Sequence, residues 1–254
     1  MTKQRPVRRF SVVTAPAVAA LVLWAAAYAE PPAAPNQLVT VASAEALSAA
    51  ADEYLADIGP LAADEASYTK NKDQVSQKAN AITALAQVLG NHESDSHWKP
   101  AAAQSVAASV ALSRAQDYAA AHAAYEQLVA ASKSTAAGAA PKWEKTARQG
   151  MLMEEVQLLN NSLRRGLKRI SRAKESGARD AAVLAAFAQV TIYDTHEVKN
   201  EADHPQWYEM AAELRAAAAE LSAKYAAADE AGTKAALDRV EKSCATCHEK
   251  FHKE

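Results

Sequence analysis

The only two cysteines of the chain stand close to its C-terminus, in the run Cys244-Ala245-Thr246-Cys247-His248. In an exported protein a cysteine pair ordinarily closes a long loop as a disulfide, and a pair this close would restrain almost nothing. The spacing therefore points to chemistry. C-x-x-C-H is the pattern of c-type haem attachment, in which two thiols add across the vinyl groups of one porphyrin and the adjacent histidine gives iron its proximal nitrogen. Two thioethers and one axial bond must reach a single macrocycle from one short segment, so the three residues must be neighbours. This reading gives Cys244 and Cys247 to covalent haem c and His248 to the iron.

Three other readings compete on the same residues. A thioredoxin-like C-x-x-C is expected after a strand in a βαβ setting, which this sequence lacks. A zinc site could add His252 as a fourth ligand, although all four would crowd onto one segment, unlike the two-part spacing of zinc fingers. A plain structural disulfide is the third.

The elements that must position these residues read as helices. Ala, Leu, Glu, Lys, Gln and Arg dominate beyond the N-terminal region and Gly is scarce. Leu38 to Val41 is the only short strand candidate, too little for a sheet. Leu237, Val240, Cys244, Cys247, His248 and Phe251 recur at helical spacing on one face, which would be both bundle seam and haem-facing side. The fold class expected is all-α, with helices near 43–58, 69–90, 98–115 and 117–133, then 142–174, 178–196, 204–226 and 230–252. Pro60, Pro100, Pro141 and Pro205 can all sit at helix boundaries.

Four helices followed by four suggest two tandem four-helix-bundle-like halves. Residues 43–133 read as a helical domain without a haem motif, 134–141 as a linker and 142–254 as the haem domain. Trp98 and Trp207 each lie near a proline at the start of an Ala-rich helix, with Leu112 and Leu221 fourteen residues on. Gln116-Asp117 and Ala228-Asp229 then break the pattern alike, and Ala86-Gln87-Val88 parallels Ala188-Gln189-Val190. Around Ala130 to Lys133, where a repeat would place its own motif, there is no cysteine. The first half reads as a degenerate copy, and His92, His97 and His122 as loop or surface histidines rather than haem ligands.

The chain begins with an address. Lys3, Arg5, Arg8 and Arg9 precede an apolar stretch from about Ser11 to Ala27, and Ala27-Tyr28-Ala29 offers a small-x-small cleavage site. Residues 1–29 read as a signal peptide, with membrane anchoring as the alternative, and 30–42 as a linker. Cleavage after Ala29 leaves 225 residues and, with four basic and no acidic residues removed, moves the net charge from −2 to −6. That balance reads against a nucleic-acid or anionic-membrane surface.

The segment from Trp207 through Phe251 resembles the C-terminal half of class II cytochromes c, the cytochrome c-prime family, across residues 142–254. The resemblance implies a four-helix bundle with haem on its last helix. The family's first helix carries an Arg-Gln-Gly-like stretch before the side chain that covers the distal haem face. Here that stretch is Arg148-Gln149-Gly150-Met151-Leu152-Met153. Direct alignment places Leu152 on the distal face with Met151 and Met153 beside it. A leucine there implies five-coordinate iron open to NO or CO, whereas Met151 or Met153 as sixth ligand implies electron transfer. Phe251 matches the family's aromatic residue on the proximal side, while His252 stands where Arg or Lys is usual. The expectation is a periplasmic mono-haem electron carrier acting with redox partner proteins, not an enzyme, with gas binding as the alternative. Class II relatives are often homodimers. The run Arg164, Arg165, Lys168, Arg169, Arg172 and Lys174 reads as a wet helix face, with docking of an acidic redox partner as the minority reading.

Overall fold

The computed structural model describes residues 30–32 and 37–252, so the signal-peptide reading of residues 1–29 lies outside it. The described residues form helices α1 Ala44–Leu61, α2 Glu65–Asn91, α3 Ala102–Ser113 and α4 Tyr118–Ser132. The remaining helices are α5 Gln149–Leu167, α6 Ile170–Thr191, α7 His204–Ala226 and α8 Glu230–Phe251. No strand occurs among the described residues, and Leu38–Thr40 is a 3-10 turn held by the Glu93 carboxylate, which accepts from the Leu38 and Val39 amides at 2.9 and 2.6 Å.

Helix starts follow local chemistry. Ser43, Asp64, Asp117 and Asp229 cap α1, α2, α4 and α8, each accepting from the amide three residues on. Pro205 sits in the first turn of α7, where no N–H is required of it. The expected helix over 142–174 resolves differently. Residues 142–148 are an extended strap, and the helix breaks again at Lys168-Arg169. The strap is non-helical because α2 takes its carbonyls: Gln87 Nε2 donates to Lys142 O (2.6 Å) and Glu144 O (3.0 Å), and Asn91 Nδ2 donates to Pro141 O (2.9 Å). Asn80 pairs with both backbone groups of Arg148 at 2.7 and 3.0 Å. The segment 134–141, read as a linker, joins this strap, and Gly138 N donates to Pro100 O at 2.8 Å.

Within each group of four, successive helices pack on one another, and α5 closes onto α8. Between the groups α1 packs on α6, while α2 packs on both α5 and α6. Exchanging α1 with α5 and α2 with α6 reproduces the same set of contacts. Every residue from Ala79 to Gly90 and from Asp180 to Thr191 is buried, so α2 and α6 are the two central helices of one continuous core. Across the seam Tyr54 OH donates to Glu155 Oε1 at 2.8 Å, and Arg179 meets Glu53 at 2.7 Å.

Candidate functional site

Helix α8 carries the thiols. Asp229 starts it, and its inner face buries Thr233, Ala236, Leu237, Val240 and Ser243 against the bundle. Cys244 and Cys247 continue that face at helical spacing. Cys244 packs on the main core, whereas Cys247 and Phe251 pack on a smaller cluster of Ile192, Val198, Trp207, Tyr208 and Ala211 at this end of the bundle. The Phe251 ring meets Trp207 edge-on, with centroids 5.2 Å apart and planes at 81°. Trp207 is fixed in turn, because its Nε1 donates to the Thr191 carbonyl at 3.0 Å.

Cys244, Cys247 and His248 all line a partly open cavity of about 420 Å³ between α5, α6, α7 and α8. That lies within the range of small-molecule and cofactor sites. Leu184, Phe187 and Ala188 supply its α6 wall, and Trp207, Met210, Ala211 and Leu214 its α7 wall. Gln149, Met153, Glu154, Val156, Gln157 and Asn160 come from α5. Gln149 is buried, its Oε1 lying 3.2 Å from the Thr191 hydroxyl. His248 stands at the exposed rim, its ring 5.6 Å from that of His252. Neither ring nitrogen of His248 is engaged by another described residue.

Electrostatics separate the readings of the motif. Both cysteines are free thiols. Burial pushes the Cys244 thiol up, and burial followed by the neighbouring Cys244 pushes Cys247 up to about 11. A redox or nucleophilic C-x-x-C needs the opposite shift, toward thiolate at neutral pH. No group of three or more His, Cys, Asp or Glu side chains converges as a metal cage among the described residues, so the set with His252 is not assembled as a four-ligand zinc centre.

The distal expectation is redistributed. Leu152 is 1% exposed and belongs to the main core, and neither it nor Met151 lines the cavity. Met153 does. The reason is helical phase: Leu152, Glu155, Leu159 and Leu163 form the buried stripe of α5, and Gln149, Met153, Val156 and Asn160 form the stripe beside it. Sequence reasoning missed Met210, a second thioether on the wall. The signal for it was Trp207, Met210, Ala211 and Leu214 at steps of three and four, one face of α7.

The first half holds no matching site. Helix α4 ends at Ser132, 15 residues after its Asp117 cap, the same step that reaches Cys244 from Asp229. A Cβ on Gly90 would lie 2.4 Å from Pro141 and 2.5 Å from Ala102, so strap and α3 already fill that corner. His92 is buried rather than in a surface loop, its Nε2 3.0 Å from Ala42 O and its Nδ1 accepting from Ser94 N. His97 pairs with Asp52, and His122 rests on the Tyr118 ring. No protein family, curated relative or solved structure matches the chain.

Proposed function

We propose that the chain is an exported mono-haem c-type cytochrome acting in electron transfer, similar to the class II cytochromes c. One observation carries the reading: both thiols and the imidazole of C-x-x-C-H line one largely apolar cleft among four helices. The residues fit a haem. Cys244 and Cys247 would hold it covalently and His248, with both nitrogens disengaged, would ligate iron. Haem c supplies a one-electron iron couple at this place. The chain's own work is burial and ligation. The apolar α6 and α7 walls would cover the macrocycle, Trp207 and Phe251 pack at the end of the bundle, and the Met153 thioether would be a candidate sixth ligand. Met210 is the alternative thioether.

Haem-stained denaturing gels test attachment. Wild-type protein retains the stain, and Cys244→Ala/Cys247→Ala loses it; covalent haem persisting in the variant would sink the assignment. The competing reading is a five-coordinate haem that binds or buffers NO or CO. Split, low-spin bands of the reduced protein that CO leaves unchanged support electron transfer, and a high-spin ferrous spectrum shifted by CO supports gas binding.

We also propose that the two groups of helices are copies, the first having lost its haem. The exchange-symmetric packing of α1, α2, α5 and α6 supports this. So does a matched pair of bonds: Asn91 on α2 donates to the Pro141 carbonyl, and Tyr193, just beyond α6, donates to the Pro32 carbonyl at 3.4 Å. In each case the segment ahead of one half lies on the central helix of the other. Export to the periplasm rests on the N-terminal sequence.

A further inference from the structure

The corner joining α5 to α6 gathers six cations within eleven residues. Arg164, Arg165, Lys168, Arg169, Arg172 and Lys174 are all exposed there. Arg164 pairs with Glu241, and Lys174 lies 3.9 Å from Glu175. Arg165, Lys168, Arg169 and Arg172 form no ion pair with a described residue, although Arg165 acts at longer range on Asp180. The positive end of the α6 dipole sits among them. Arg169 occupies the N-cap without a capping bond, and no acid stands in the first turn. Cations at a helix N-terminus are disfavoured; this chain caps α2, α4 and α8 with aspartates, while α5 starts at the uncapped Arg148 without the cluster of cations that surrounds Arg169. The fold does not demand the charge, because the matching corner between α1 and α2 carries Asp64 and Glu65 and no cation.

We propose that this corner is a docking surface for an anionic lipid bilayer. Its chemistry is charge alone. Among the described residues the large exposed apolar side chains are Val39 and Leu158, and neither lies in the corner. A protein partner would call for a buried anchor at the centre of the contact, whereas a diffuse anionic surface reads the number of cations brought near it. The net negative charge reads against binding by the surface as a whole, but screening confines each patch to its own surroundings, so this corner can act locally. Docking here would leave the cavity free: Arg165 lies 15 residues along α5 from Gly150, roughly 22 Å of helix. The corner is thus a tether rather than an electron entry point. No described helix is long and apolar enough to cross a membrane.

Co-sedimentation of the full haem-loaded chain with phosphatidylglycerol-containing vesicles tests the proposal, with phosphatidylcholine vesicles as reference. Binding to the anionic vesicles at low salt is expected, falling as salt rises. Arg165→Glu/Arg169→Glu/Arg172→Glu should weaken it at least ~100-fold with the absorbance spectrum unchanged. The neutral triple Arg→Gln variant should lose an intermediate amount and guards against a folding defect. No binding to anionic vesicles, equal binding to both vesicle types, or binding indifferent to the charge reversals would overturn it. So would retention on an acidic protein matrix without vesicle binding. The haem-staining result is independent of every one of these outcomes.

Discussion

Met153 on α5 and Met210 on α7 put two thioethers on the lining of one cavity, and replacing each in turn separates them. If Met153 is the sixth ligand, Met153→Leu turns the reduced spectrum high-spin and CO-sensitive, while Met210→Leu leaves it low-spin. The reverse pattern would move the assignment to α7. Tyr225 makes a different demand. Its ring is fully buried, and its hydroxyl donates to the Leu163 carbonyl. A Cβ on Gly177 would stand 2.3 Å from that ring. The ring fills its slot and cannot retreat, so Gly177→Ala should cost about 1–3 kcal/mol, seen as a lower melting temperature. At this scale the sequence was legible where chemistry fixes spacing. Cys244, Cys247 and His248 could be named from type and order, and the structure puts all three on one cavity. Which of Met151, Leu152 and Met153 faces the cavity was not legible, because one residue of phase separates Leu152 in the core from Met153 on the cavity lining. Only packing sets that phase.

Helix ends show which local rules govern. Asp229 caps α8 through the Gly232 amide at 2.9 Å, and the same bond holds its carboxyl below the usual range. Ala228 before it has φ of 51°, a left-handed conformation that L-residues adopt at a cost. Ala228→Gly should therefore stabilise the protein by about 1 kcal/mol, seen as a rise in melting temperature. The Ala-Asp break was readable as a helix boundary, and composition alone gave the all-α class. The strap was not readable. Residues 142–148 include Lys, Trp, Glu and Ala, ordinary helix formers, but side chains of α2 about 60 residues earlier take their carbonyls. Local propensity holds no record of so distant a partner.

Across the whole molecule the seam between the two groups of helices is where acidity should be felt. Glu155 and Asp180 are buried there, and burial raises both carboxyls above the ordinary carboxylate range. Tyr54, Glu53, Asp57, Lys78, Ser162 and Arg179 face them across a cleft of about 190 Å³. With folded values above unfolded ones, their contribution to stability is fully present below about pH 4 and declines as pH rises through the folded values. Glu155→Gln, which still accepts from Tyr54, should gain melting temperature over wild type as pH rises toward 7, at ~2–4 °C for each kcal/mol. Thermal melts at several pH values check this, and a gap independent of pH would contradict it. The same seam governs how the chain can be made. Helix α2 is clothed on one side by α5 and α6, which end 100 residues after Asn91. At synthesis rates of about 5–20 residues per second, the run from Ala79 to Gly90 waits roughly 5–20 s for its covering, an apolar face open to aggregation. A newly made chain thus needs a chaperone's shelter most while its last helix, α8, is still unmade.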